Sequence, residues 1–354
     1  MNFKTVIGSL VGVAAVSATV RYSELNSEEV QQLFSDFKTK YKHIDSYRNT
    51  EHETSRFAIF KTHLNLIDER NMIEEATGGS AVHGITQFAD ITQEEFVSTY
   101  LDTSVKHRMN VRGSNATIAT HAPYTGSADA IDYTGKQTTA IKDQGNCGSC
   151  WAHAAAEQLE SDGMRLLGNP SSLTLSVQQF VSCDHGPEQL GCGGGLQETG
   201  YDYAKEAGGI VSEEDYPYVS GTSGESGTCD TSKTNYLVGV NSFDMILETD
   251  PADTESGYTS YMFSKSGGTI SIGVDASMWS TYKGGVMTRC GAGKVINHSV
   301  QLVGVDTDSK DGYWKIRNSW SSDWGEDGAI RIAYGSNTCG LATEGGSYVS
   351  VFNV

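Results

Sequence analysis

Cys150 sits where the loop Gln144-Gly145-Asn146-Cys147-Gly148-Ser149 runs into a helix-favouring segment. Free backbone N–H groups and the helix dipole at such a junction favour a thiolate. A free thiol titrates near ~8.5 and an imidazole near ~6.5, so neither alone is a good nucleophile at neutral or acidic pH. Placed together, they exchange a proton and form a thiolate–imidazolium pair. The chain holds seven cysteines, Cys147, Cys150, Cys183, Cys192, Cys229, Cys290 and Cys339. Seven is odd, so one thiol stays free if the others form the three bridges that an oxidising compartment would keep.

A histidine must then be positioned, and His298 qualifies. The strand-like runs 299–305 and 313–318 flank a loop that ends in Asp311-Gly312, which reads as an antiparallel hairpin. His298 lies eight residues before Asp306 and Asn318 six after Gly312, so closing the hairpin sets them side by side. An Asn carbonyl accepting from one ring nitrogen fixes the tautomer and leaves the other nitrogen for a thiol. Gln144, six residues before Cys150, is placed to donate its side-chain amide to an oxyanion alongside the Cys150 backbone N–H.

The elements that would carry these residues are legible in part. Apolar positions over 26–43 recur at spacings of three and four, with Asn26 or Ser27 as cap. A second helix is predicted over 53–75, ended by Gly78-Gly79, and a short strand over 82–88. Thr92 and Glu95 form a capping box for a helix ending near Tyr100. Residues 102–130 lose periodicity and read as a linker, with a glycosylation acceptor at Asn115-Ala116-Thr117. Beyond it, a helix is predicted over 152–167, ended by Gly168, and another over 177–182, capped by Ser176 with Gln179 at the capping-box position. Glycine-dense stretches at 191–195 and 221–227 read as irregular loops. Strands follow over 269–274, 299–305, 313–317 and 329–333. Helices first and strands later argue for an α+β architecture with two lobes.

The formal charge is −19, and splitting the chain at residue 126 gives −3 before and −16 after. With no basic face, nucleic acid and anionic membrane surfaces are poor partners. The acidity of the second unit serves solubility or suits an acidic compartment. Lys4 followed by the apolar run 6–20, with small residues at Val16-Ser17-Ala18, reads as a secretory leader removed after Ala18; the run is short of the ~20 residues a spanning helix needs.

QGNCGSCWAH over 144–153 resembles the active-site segment of the papain-like cysteine proteases, whose His and Asn lie some ~130–150 residues downstream. His298 is 148 residues on and Asn318 168, the latter somewhat past that window. Leu175-Ser176, Gly191-Cys192 with Gly194-Gly195, Asn297-His298, Asn318-Ser319-Trp320 and Trp324-Gly325 extend the likeness over 132–354. The resemblance implies a two-lobed papain-like fold, with a helical left lobe and a β-barrel-like right lobe. It implies Cys150 as nucleophile, His298 as acid/base, Asn318 as orienter, Gln144 as oxyanion donor, and Trp320 as a shield over the His298–Asn318 bond. The family pattern pairs Cys147 with Cys192, Cys183 with Cys229 and Cys290 with Cys339, leaving Cys150 free. Gly194 and Gly195 would let a peptide backbone approach. Leu196, Gly273, Ser299 and Glu344 would line the main specificity pocket, with Leu196 favouring an apolar residue and Glu344 accepting Arg. No cofactor and no metal is implied.

The first unit resembles the helical inhibitory propeptide of cathepsin L-like members. Arg56, Phe60, Ile67 and Asn71 match the helix motif, and Gly84, Phe88 and Asp90 the later one. His52, His63 and Thr86 stand where Glu, Asn and Asn are usual. The domains implied are a leader over 1–18, an inhibitory propeptide and linker over 19–126, and the peptidase over 127–354, released by cleavage near 120–128. Partners implied are polypeptide substrates, the chain's own propeptide and cystatin-like inhibitors, with a monomeric enzyme in a lysosome, an acidic vacuole or the extracellular space. His153 replaces the usual Phe and reads as a packing or hydrogen-bonding residue. Asn297-His298-Ser299 matches a glycosylation pattern but would lie buried in the cleft. Two other readings compete: a thiol–disulfide oxidoreductase using Cys147 and Cys150, and a papain-fold binding protein without activity. Against the first, no βαβ texture flanks the C-x-x-C; against the second, all four site residues are present. Gly291-Ala292-Gly293-Lys294 lacks the Ser/Thr of a phosphate loop, and Asp306 and Asp308 lack the rest of a calcium loop.

Overall fold

The computed structural model describes residues 21–41, 49–102, 116–126, 129–186, 189–291, 295–308 and 311–354. The leader and Asn115 lie outside them. Three helices come first, α1 (Ser27–Tyr41), α2 (Thr50–Thr77) and α3 (Gln93–Tyr100), with β1 (Val82–His83) between α2 and α3. Asn26 caps α1 through its side-chain oxygen, which accepts from the N–H groups of Glu28 and Glu29. The capping box of Thr92 and Glu95 is present on α3. Phe34, Phe37, Phe60, Leu64 and Ile67 pack α1 on α2 in a small core of their own.

The strand expected over 82–88 shrinks to β1. Gly84 leaves the pairing with β6 (Tyr282–Gly284), and Thr86 turns its hydroxyl onto the Ser280 carbonyl. Within the expected linker, β2 (Thr117–Ile118) adds in parallel to β4 (Val238–Ile246). β3 (Ala130–Asp132) pairs with β8 (His298–Asp306).

The second unit opens on α4 (Cys150–Leu167), buried continuously from Cys150 to Gly163. Four alanines among its first seven residues let neighbouring elements approach closely. Gly168, in the left-handed conformation, ends it. α5 (Val177–Cys183), α6 (Gln197–Ala207) and the short α7 (Ser220–Ser223) complete the helical lobe, and α8 (Pro251–Phe263) packs on the sheet side. Ser176 caps α5, but Gln179 does not close a capping box: its side chain points inward, accepting from Val211 N–H and donating to the Gly209 carbonyl. α6 and α8 lie between the helix predicted to end at 182 and the strand predicted to begin at 269, a region read as irregular from its two glycine-dense stretches.

The described sheet runs β2-β4-β11-β5-β8-β9-β10-β7, where β5 is Ile270–Val274, β7 Val286–Met287, β9 Tyr313–Arg317, β10 Ala329–Ala333 and β11 Gly346–Asn353. Pairing is antiparallel except at its two ends, β2–β4 and β7–β10. One core lies between α4, α5, α6 and the β4–β11 face. A larger one gathers Trp279, Trp314, Trp320 and Trp324 with β5, β8, β9 and β10. Phe88, Phe96 and Leu101 join that second core, so the first unit is packed into the second. The result is the α+β, two-lobed architecture with an N-terminal helical unit. Among the described residues, no helix is long and apolar enough to cross a membrane.

Candidate active site

The nucleophile position is built by a clamped loop. The Cys147–Cys192 disulfide fixes the chain three residues before Cys150, and Gly148 N–H donates to the Cys192 carbonyl at 3.0 Å. A Cβ on Gly148 would sit 2.5 Å from that carbonyl, so only glycine fits. Cys183–Cys229 and Cys290–Cys339 are the other two bridges. Cys150 is the cysteine outside the three disulfides, buried at the first position of α4. Ser149, just before it, spends its hydroxyl on Tyr218 OH at 2.7 Å, and that hydroxyl donates to the Gln144 carbonyl at 2.8 Å.

Gln144 is fully buried and its amide orientation is fixed by its neighbours. Oε1 accepts from Ser319 Oγ and Trp320 Nε1, each at 3.0 Å. Nε2 must therefore face the other way, and it donates to the Cys147 carbonyl at 2.9 Å and the Tyr100 carbonyl at 3.2 Å.

The hairpin of β8 and β9 forms as the Asp-Gly turn predicts. His298 Nε2 lies 2.8 Å from Asn318 Oδ1, and both side chains are fully buried. An amide oxygen only accepts, so Nε2 carries the proton and Nδ1 is the basic nitrogen. Asn318 Oδ1 also accepts from Ser319 N–H at 2.8 Å, which holds the amide in place. The Trp320 ring covers the imidazole at 4.8 Å between centroids. Burial beneath an apolar ring strengthens the His298–Asn318 bond. α4 lies against β8: Gln301 Nε2, three residues beyond His298, donates to the Glu157 carbonyl at 3.1 Å.

Leu196, Gly273 and Glu344 line one small cavity, together with Gln197, Glu198, Met245 and Gly345. Ser299 is set back from it; it is the cross-strand partner of Gly273, and its hydroxyl donates to Gln197 Oε1 at 2.8 Å. Glu198 is a second carboxylate in that cavity, buried and accepting from Ser347 Oγ at 3.0 Å. Nothing in the sequence marked it, because a Glu at the start of a helix reads as ordinary first-turn chemistry. Gly195 packs on the Trp151 ring, which a Cβ would meet at 2.8 Å. His153 is buried and points its Nδ1 at the Ser149 carbonyl, 3.0 Å away, with Tyr218 edge-on. Burial pushes it down to about 3, so it stays neutral.

The first unit fills the groove. Phe88, Phe96 and Tyr100 surround the Trp320 ring edge-on at 5.2, 5.4 and 6.5 Å. Gln87 Nε2 donates to the Trp320 carbonyl at 2.7 Å. The chain then carries the Tyr100 carbonyl to Gln144 and Asp102 N–H to the Asn297 carbonyl at 2.7 Å. The Asp102 carboxylate stands where a Cβ on Gly194 would be, 2.5 Å away. Arg56 holds α2 to α3 through Glu95 at 2.6 Å and the Asp90 carbonyl at 3.1 Å, which keeps the Glu95 carboxyl below its usual range.

Known proteins match this arrangement. Residues 126–349 match the papain family cysteine proteases and residues 34–96 the cathepsin propeptide inhibitor domain. The chain is 34% identical to a cysteine proteinase of Trypanosoma brucei brucei over 93% of its own length and 70% of that protein's. It is also 34% identical to cathepsin L 2 of Paramecium tetraurelia, over 89% and 93% of the two chains. Among solved structures it is similar to the digestive procathepsin L 3 of Tenebrio molitor larval midgut, at 26% identity and a TM-score of 0.74, over 91% of this chain and 99% of that one. The recombinant stem bromelain precursor is similar at 27% identity and a TM-score of 0.75, with the same coverage. With an inhibitory first unit packed against Trp320, Gln144 and Gly194, the chain belongs to the papain family of cysteine proteases and is made as a zymogen.

Proposed function

We propose that the mature enzyme is an endopeptidase in which Cys150, His298 and Asn318 act as a nucleophilic triad and Gln144 as oxyanion donor. The Cys150 thiolate attacks the scissile carbonyl while His298 holds the thiol proton. Negative charge collects on the carbonyl oxygen, where Gln144 Nε2 and the Cys150 backbone N–H donate to it. His298 gives its proton to the departing amine as the C–N bond breaks, leaving a thioester on Cys150. Water, deprotonated by His298, then attacks the thioester and regenerates the thiol. Asn318 keeps the imidazole in the tautomer this cycle needs, and Trp320 keeps bulk water from their bond.

The observation that carries this reading is the fixed direction of Gln144. Its Oε1 is occupied by two donors and its Nε2 also serves the Cys147 carbonyl, which leaves one N–H for the groove, where the Tyr100 carbonyl takes it in the zymogen. The groove accepts an apolar residue against Leu196 or an Arg toward Glu344, second from the scissile bond, with Gly194 and Gly195 pairing to the substrate backbone. Gly273 lines the same pocket, with Ser299 behind it on β8.

The leader ends at Ala18, the propeptide and linker run over 19–126, and the mature chain over 127–354, released by cleavage within 120–128. The three disulfides fit an oxidising secretory compartment. The site of action is a lysosome, an acidic vacuole or the extracellular space. The enzyme works as a monomer and is open to cystatin-like inhibitors once the propeptide leaves. Incubating the zymogen at pH 4.5 with and without an epoxide thiol inhibitor, then sequencing the new N-terminus, tests the reading. Inhibitor-sensitive cleavage within 120–128 is expected; cleavage that persists in C150S zymogen alone in the tube would overturn it.

A further inference from the structure

One buried guanidinium joins the segments that carry the four candidate catalytic residues, Gln144, Cys150, His298 and Asn318. Arg317 ends β9, directly before Asn318, and is 2% exposed. Its Nη2 donates to the Ala140 carbonyl at 2.6 Å and to Thr139 Oγ1 at 3.0 Å, on the segment that leads four residues later into Gln144. Nη1 lies 3.4 Å from Oε1 of Gln301, its cross-strand partner on β8, the strand that begins with His298. Nη2 is also 3.3 Å from Glu157 Oε1 on α4, and both side chains are shielded from water. Glu157 follows Cys150 by seven residues, two helical turns, so the two project from nearly the same side of the helix.

Gln301 reinforces the same joint, with Nε2 within 3.0–3.1 Å of Ser161 Oγ and the Glu157 carbonyl. A planar fork suits such a junction, because its two terminal nitrogens reach the segment before Gln144, β8 and α4 in fixed directions. A buried charge pair is weak evidence for stability, since desolvation offsets most of its attraction. Its location, between the nucleophile helix and the strand end that delivers the orienter, points to another role.

We propose that Arg317 is a positioning residue for the proteolytic reaction: it sets the spacing between the α4 N-terminus and the β8–β9 strand ends, and so the reach between Cys150 and the His298–Asn318 pair. Glu157 is the α4 carboxyl it faces, at 3.3 Å, and burial pushes that group up to about 7. The inference rests on the site reading above.

The test uses the full chain, expressed as zymogen, activated and normalised by titration of the reactive thiol. Substrate is a fluorogenic dipeptide amide. R317Q should lower kcat per titrated thiol at least 10-fold with KM within 2-fold, because the groove is untouched. It should slow iodoacetamide alkylation of Cys150 at pH 5 in parallel, since a loosened imidazole stabilises less thiolate. R317K, which keeps the charge, should recover part of the kcat. The double variant E157L/R317M replaces both buried polar side chains by apolar ones, and should regain the parent's melting temperature while kcat stays low. Parental kcat and alkylation rate in R317Q or in the double variant would overturn the proposal. So would failure of both to fold, which would assign the pair to stability. C150S and N318A in the same assay separate the two claims: if they retain full activity the site reading falls, whereas if they lose it and the Arg317 variants do not, only this inference falls.

Discussion

The carbonyl oxygen of Tyr100 accepts a hydrogen bond from Nε2 of Gln144 at 3.2 Å. A donor suited to a developing oxyanion is therefore occupied by a neutral carbonyl of the chain's own first unit. The neighbouring contacts give the direction: the chain passes Trp320 first, at Phe88 and Phe96, and Gly194 last, at Asp102. Packing of Phe96 into the Trp320 cluster anchors this passage, and truncating a buried Phe to Ala costs about 3–5 kcal/mol. Even half of that, applied to docking, raises the open population more than tenfold. The F96A zymogen should hydrolyse a fluorogenic peptide at pH 7 before any processing, where the parent zymogen is silent. Unprocessed F96A with no activity above the parent would show that the ring cluster does not hold the groove shut.

The same amide predicts the behaviour of the mature enzyme. Removing one preorganised oxyanion donor costs roughly 100- to 1,000-fold in kcat. Q144A should show that loss with KM little changed, because the amide meets charge only as it develops. Q144E is expected to be as poor: its carboxylate would accept from Ser319 and Trp320 but have no hydrogen to give. Steady-state kinetics on thiol-titrated enzyme decides it, and a kcat within 3-fold of the parent would remove Gln144 from the oxyanion site.

The hairpin and the nucleophile helix were legible because their signals are local. Asp311-Gly312 lies between two β-rich runs, and alanines fill a segment closed by Gly168. β4 and β11 were not. β4 carries Asn241, Ser242 and Asp244, which read as loop, and its partner is the end of the chain, joined with a register shift between Ser350 and Val351. Such pairing is decided by tertiary packing rather than local preference. α6 was hidden by the glycines before it, which serve the Trp151 contact and the groove. Arg317 and Glu157 were invisible for another reason: a charged residue in a strand or helix reads as solvated until the fold buries it.

Two carboxylates border the cavity beside Leu196 and Gly273, and they are not equivalent. Glu198 is buried with Ser347 Oγ and Gln197 Nε2 as donors, whereas Glu344 is half-buried at the cavity's other side. A charge-assisted bond to Arg contributes about 1.5–3 kcal/mol. E344A should therefore lower kcat/KM for substrates with Arg second from the scissile bond about 10-fold or more, and leave Leu substrates unchanged. A peptide-library profile in which Arg acceptance survives E344A would assign that preference to Glu198 or dismiss it.

Two buried histidines set the direction of the zymogen's pH dependence. His83 Nδ1 bonds Thr281 Oγ1 at 2.8 Å across the boundary between the two units, and His63 lies inside the first. Burial, with the Arg70 charge second, pushes each down to about 3. Arg70 itself crosses the boundary to the Met278 carbonyl at 2.9 Å and Thr281 Oγ1 at 2.8 Å, so a protonated imidazole here would face a cation. A folded-state pKa below the unfolded ~6.5 means that the stability is fully present above pH 6.5 and is lost as pH falls toward 3. Each imidazole then weakens the inhibited state by up to about 1.4 kcal/mol per pH unit, or roughly tenfold. Processing should accelerate steeply between pH 6.5 and 4.5. The double variant H63N/H83Q keeps polar side chains without titrating, and should flatten that dependence while changing the rate at pH 7 little. Half-times of zymogen conversion across that range measure it, and an unaltered slope in the double variant would move the sensor to other groups.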